Sequence, residues 1–158
     1  MDEKTQEEQA RVRQAFKVCR AEVEHEYGVL ANRLNSYMTS QAFLVSGYAI
    51  SMGNMNPAWG NRFSLYFPLL LSLVGILLSI RAQPGITGVC DIISQWHDKQ
   101  SALFELGLGL EDYDVLRRDT VKSIHDRTLW FAQTSHWIFG VAWFLMALLT
   151  IALHNSII

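Results

Sequence analysis

A chain of 158 residues in which 18% of side chains are charged, with a formal net charge of −2, sits below the usual quarter or so of charged residues in soluble domains. The slightly acidic balance gives no footing for a nucleic-acid partner. Two cysteines, Cys19 and Cys90, lie far from any paired spacing and read as ordinary reduced thiols rather than as a disulfide framework or a metal centre.

The charges are unevenly placed. None falls between Arg33 and Arg62, none from Phe63 to Ile80, and none after Arg127. A bilayer core takes about 20 mostly apolar residues per helix, and all three gaps are near or above that length. Soluble helices need a wet face. These gaps predict an all-α integral membrane protein with three transmembrane helices continuous with a cytoplasmic helical bundle.

Residues 1–36 predict a cytoplasmic amphipathic helix. The leading MDEKTQEEQARVRQ lacks the apolar core of a signal peptide. Val12, Phe16, Cys19, Val23, Tyr27, Leu30, Leu34 and Tyr37 then recur at spacings of three and four, a helical stripe. The stripe enters the first span with no Gly or Pro break, so one helix is expected from about residue 5 to about residue 53. Its cytoplasmic part would project roughly 40–50 Å at about 1.5 Å per residue, and its apolar stripe needs partners.

Residues 37–82 predict a transmembrane hairpin, with spans at about 37–54 and 63–81 joined by the turn-rich NMNPAWGNR. The first span, within SYMTSQAFLVSGYAISMGN, is the weakest by hydropathy. Ser36, Ser40, Gly47, Ser51 and Asn54 fall within about 60° of one another on a helical wheel. Gly47 with Ser51 and Ala49 with Gly53 are small-xxx-small pairs that let membrane helices approach closely. That face reads either as a packing seam or as the lining of a pore. The second span holds Pro68, tolerated in membrane helices, and carries Ser72, Gly75 and Ser79 on a narrow face suited to hairpin packing.

Residues 83–129 predict a cytoplasmic segment of two helices. A break is expected at AQPG, Pro84 and Gly85. Ile86, Val89, Ile93, Trp96, Leu103 and Phe104 follow at mostly helical spacing. GLGL is the next break, and the acidic run Glu111 to Asp114 suits a helix N-terminus. Residues 130–158 form the third transmembrane helix and an outer C-terminus.

Lys and Arg set the orientation. Six precede the first span, one lies in the first link, six lie between the second and third spans, and none follows the third. The N-terminus and middle segment are therefore expected in the cytoplasm and the C-terminus outside, in a bacterial inner (plasma) membrane. Tyr37, Trp59, Tyr66, Trp130 and Trp137 are the expected interface anchors.

Candidate chemistry is sparse. His136, in the polar run Gln133 to His136, reads as an interfacial helix entrance or as a pH-sensitive group. His136 and His154 lie about 27 Å apart along one helix, so haem ligation would need two subunits. His97-Asp98 and His125-Asp126 lack a fixed ligand spacing and read as solvated faces. Met52 and Met55 are too few for a soft-metal site. There is no P-loop, GxSxG, HExxH or dinucleotide turn, and no nucleophile, base and oxyanion donor converge. No enzyme activity, cofactor or metal is expected.

Three spans are too few to enclose a solute path alone, and internal repeats are absent. The expected function is a small homo-oligomeric membrane protein forming an ion-conducting or permeabilising pore, its first span toward the axis. The alternative is a non-conducting anchored protein whose cytoplasmic helices recruit or regulate a partner. The expected partners are the lipid bilayer, further copies of the chain and a cytoplasmic protein.

Overall fold

The computed structural model describes residues 3–53, 60–105, 110 and 118–157, with the backbone alone at 3, 60–62, 64, 118–128, 156 and 157. Among the described residues there are three α-helices and no strand: α1 Glu3–Gly53, α2 Gly60–Glu105 and α3 Arg118–Ile157. The described residues are all-helical in class, as the periodicity predicts.

The expected break at AQPG does not occur. α2 runs through both Pro68 and Pro84. Proline removes one intrahelical hydrogen bond and crowds the carbonyl four residues back, yet its fixed φ is itself helical. Ile86, Val89, Cys90 and Ile93 follow at helical spacing and are almost fully buried, so continuing the helix keeps that face packed. Two side chains also bond the α2 backbone near the prolines, at carbonyls other than those of residues 64 and 80 that the prolines leave without their helical donor. The Ser72 hydroxyl donates to the Pro68 carbonyl at 3.0 Å, and the Arg33 guanidinium donates to the Gly85 carbonyl. The GLGL stretch and Glu111 to Asp114 lie outside the described residues, apart from Leu110.

Among the described residues, two helices, not three, are by themselves long and apolar enough to cross a membrane: α2 over Leu65–Glu105 and α3 over Leu129–Asn155. α1 is not among them. Thr39, Ser40, Gln41, Ser46, Gly47 and Ser51 dilute its uncharged stretch. Only 22% and 17% of the most apolar windows of α2 and α3 are buried within the chain, whereas the core helix of a soluble domain is mostly buried.

The chain divides into two compact units: residues 1–32 with 87–131, and residues 33–86 with 132–158. All 15 acidic residues and all but three of the 13 basic ones fall in the first. The exceptions are Arg33, Arg62 and Arg81.

In the charged unit, the N-terminal part of α1 packs on the C-terminal part of α2. Val12, Phe16 and Leu110 form a buried cluster with Leu103 against it. The Phe16 and Phe104 rings meet edge-on at 5.0 Å. Cys19 and Cys90 are buried free thiols. Burial, with the Cys90 thiol nearby, raises Tyr27 above the usual phenol range.

The second unit is a three-helix bundle with an inverted distribution of polarity. Gln41, Ser72, Ser79, Ser135, His136 and Thr150 are at most 3% exposed. Its surface instead carries Leu70, Leu73, Leu77, Ile80, Ile138, Val141, Phe144, Leu145, Leu148 and Leu149. Contacts fix the register. Tyr37 meets Ser79, and a side chain at Gly47 would touch Leu71, so α1 and α2 run antiparallel. Tyr37 meets Phe139, Gln41 meets Trp143 and Tyr48 meets Thr150, so α1 and α3 run parallel.

Candidate functional site

Hydrogen bonds inside the second unit form a ladder between the helices. On its first rung, the Tyr37 hydroxyl lies 3.0 Å from Ser79 Oγ. Ser79 directs its own proton to the Gly75 carbonyl at 2.9 Å, so Tyr37 is the donor. The Tyr37 ring stands edge-on to Phe139. On the next rung, Trp143 Nε1–H donates to Gln41 Oε1 at 2.5 Å. The Gln41 Nε2 group is buried without a hydrogen-bond partner. Further along, the Tyr48 hydroxyl donates to the Met146 carbonyl at 2.9 Å and sits 2.8 Å from Thr150 Oγ1.

Gly75 makes the middle rung fit. A Cβ there would lie 2.5 Å from Trp143 Nε1 and closer still to Cδ2 and Cε2. The indole therefore lies flat on the α2 backbone, where only glycine leaves room. Gly140 of α3 faces Ser79 of α2 less tightly, since a Cβ there would meet Ser79 at an ordinary 3.7 Å.

The small polar face expected on α1 is distributed around this bundle. Gly47 faces Leu71 of α2. Ser40 and Ser51 are half-buried and Ser36 is exposed; Asn54 lies outside the described residues. The Ser40 hydroxyl donates to the Ser36 carbonyl at 2.8 Å and that of Ser51 to Tyr48 at 2.7 Å. The residues α1 turns most fully into the bundle are Tyr37, Gln41 and Tyr48. Turned outward are Thr39, Ala42, Ser46, Ala49 and Gly53, all exposed and spaced three and four apart. Phe43 and Ile50 flank that row and are also exposed.

Of the expected anchors, Tyr66, Trp130 and Trp137 are each more than 60% exposed, whereas Tyr37 is turned inward. Trp59 lies outside the described residues. His136 is 3% exposed, its two ring nitrogens have no hydrogen-bond partner, and its ring lies 5.5 Å from that of Trp137. Among the described residues, no group of three or more His, Cys, Asp or Glu is arranged to hold a metal ion.

Sequence reasoning did not single out Gln41, Tyr48, Trp143 or Thr150. A signal exists in hindsight: Gln41 and Tyr48 stand seven apart in α1, as do Trp143 and Thr150 in α3. Both pairs are polar-tipped residues within uncharged helices. What these groups accomplish chemically is helix–helix fixation by neutral hydrogen bonds. No protein-family model, no curated protein and no solved structure matches the chain.

Proposed function

We propose that the protein is an integral membrane protein that crosses the bilayer three times. It assembles as a homo-oligomer with α1 toward the axis, where it lines a small ion-conducting or permeabilising pore. The register of the bundle supports the third span. α1 lies level with the two apolar helices from Tyr37–Phe139 to Tyr48–Thr150, so a bilayer that surrounds α2 and α3 surrounds this part of α1 as well.

The observation that carries the assembly is the outward face of α1. α2 and α3 present a coat of Leu, Ile, Val and Phe that suits lipid. α1 presents Thr39, Ala42, Ser46, Ala49 and Gly53, small residues at the spacing that lets membrane helices pack closely. Cyclic symmetry is the default for such assemblies. The charged unit lies in the cytoplasm by the distribution of Lys and Arg, in a bacterial inner membrane.

A second reading, a non-conducting anchor whose cytoplasmic helices recruit a partner, is favoured by a different observation. The hydroxyls of Ser40, Ser46 and Ser51 donate to carbonyls of α1 itself. Serines satisfied in this way need no aqueous path beside them.

The test is subunit stoichiometry in mild detergent together with ion flux in liposomes. A ring of four or more subunits with flux that Ser46→Leu abolishes supports the pore. A ring without flux leaves the anchor reading. A monomer refutes the assembly.

A further inference from the structure

The second unit holds three charged residues, all arginines, and no acidic residue. Two of them stand at the same end of the α1–α2 pair. The register set by Tyr37–Ser79 and by Gly47 facing Leu71 puts Arg81 across from Ser36. Arg33 lies one α1 turn before Ser36. All three side chains are exposed. Arg33 uses one donor on the Gly85 carbonyl, and a guanidinium has five. That bond ties Arg33 to the α2 side of α1, where Arg81 also lies.

Two guanidinium groups at one end of a groove, with no carboxylate in the unit, repel each other. An anion between them removes that cost, and the planar fork of each group matches the oxygens of a phosphate. The surface beyond them is apolar: Leu77, Leu78 and Ile80 on α2 are exposed. Trp137, 62% exposed on α3, lies level with Arg81 in the register set by Ser79–Gly140 and Gly75–Trp143, as an interface aromatic does.

We infer that Arg33, Ser36 and Arg81 form a seat for the phosphate of an anionic phospholipid headgroup, with the acyl chains laid along the exposed leucine and isoleucine side chains of α2. Arg33 and Arg81 supply the charge and Ser36 a hydroxyl donor. The inference rests on the membrane-crossing reading and adds a specific lipid class to it. Juxtamembrane arginines meet anionic lipid at the cytoplasmic leaflet, each contributing roughly a fivefold gain in affinity.

The experiment is lipid titration of the full chain in mild detergent, read by native mass spectrometry, with phosphatidylglycerol against phosphatidylcholine. The wild type is expected to retain phosphatidylglycerol preferentially. Arg81→Gln, which leaves the Arg33–Gly85 bond intact, should lower that preference roughly fivefold, and Arg33→Gln with Arg81→Gln roughly 25-fold. Arg62→Gln should leave it unchanged. Equal retention of the two lipids by the wild type, an undiminished preference in the double variant, or an equal loss in Arg62→Gln would overturn the seat. Extraction of membranes with alkaline carbonate separates the two levels of failure. Release of the chain refutes the membrane-crossing reading, and retention without lipid preference refutes the seat alone.

Discussion

Gly75→Ala is the smallest perturbation that reaches the centre of the second unit. The added methyl would stand 2.5 Å from Trp143 Nε1 and nearer to two ring carbons, distances that real side chains do not adopt. Either the indole or the α2 backbone must move. Overpacking of this kind costs about 1–3 kcal/mol. A displaced indole also loses its bond to Gln41 Oε1, and that loss adds about 1 kcal/mol. The Gln41 amide is already unpartnered at Nε2, so it would then be unpartnered at both ends. The total is about 2–4 kcal/mol. At about 2–4 °C per kcal/mol for a chain of this size, thermal unfolding in detergent should fall by about 5–15 °C. Trp143→Leu in the Gly75→Ala background should recover part of the loss, because the two changes share one contact. A Gly75→Ala protein that melts within about 1 °C of wild type, against the total of about 2–4 kcal/mol expected from overpacking and the lost bond, would refute the close approach of α2 and α3.

Further expectations follow from the same contacts. Gly28→Ala and Gly88→Ala meet nothing within 4 Å, so each should stabilise the charged unit by about 0.5–1 kcal/mol through helix propensity; a lowered melting temperature would contradict the open surroundings at these sites. A double-mutant cycle of Tyr37→Phe and Ser79→Ala should give a coupling of about 0.6 kcal/mol, the scale of interhelical hydrogen bonds in membranes, and zero coupling would remove that rung. Phe16→Ala empties the cluster with Val12 and Leu110 at a cost of about 3–5 kcal/mol. Trypsin should then cut at Lys17 and Arg20 faster than in wild type, and an unchanged rate would deny that the cluster holds this helix.

The long helices were legible because their signals repeat over many residues. The stripe from Val12 to Tyr37 predicts α1, and α1 runs from Glu3 to Gly53 without interruption. The break expected at Pro84 and Gly85 failed because proline and glycine are local signals. The buried run from Ile86 to Ile93 outweighs one lost backbone bond, and nothing in the local sequence reveals that Arg33 reaches the Gly85 carbonyl from 52 residues away. The α1 wheel shows which residues share a face but not which face a neighbour occupies. Serine and glycine marked one side, yet Tyr37, Gln41 and Tyr48 are the residues turned into the bundle, because their long side chains reach hydrogen-bond partners on other helices. Trp143 carried no warning of its role, since its bed is a glycine on a different helix.

The central claim is that α1 crosses the bilayer beside α2 and α3 although its own sequence is too polar to qualify. Single cysteines at Thr5 and Asn155, in a background with Cys19 and Cys90 replaced by Ser, test it by labelling with a membrane-impermeant maleimide in sealed vesicles of known orientation. With three spans the two positions react from opposite sides, Thr5 from the cytoplasmic face and Asn155 from the outer face. If α2 and α3 alone crossed, both positions would react from the same side, and that result would contradict the account.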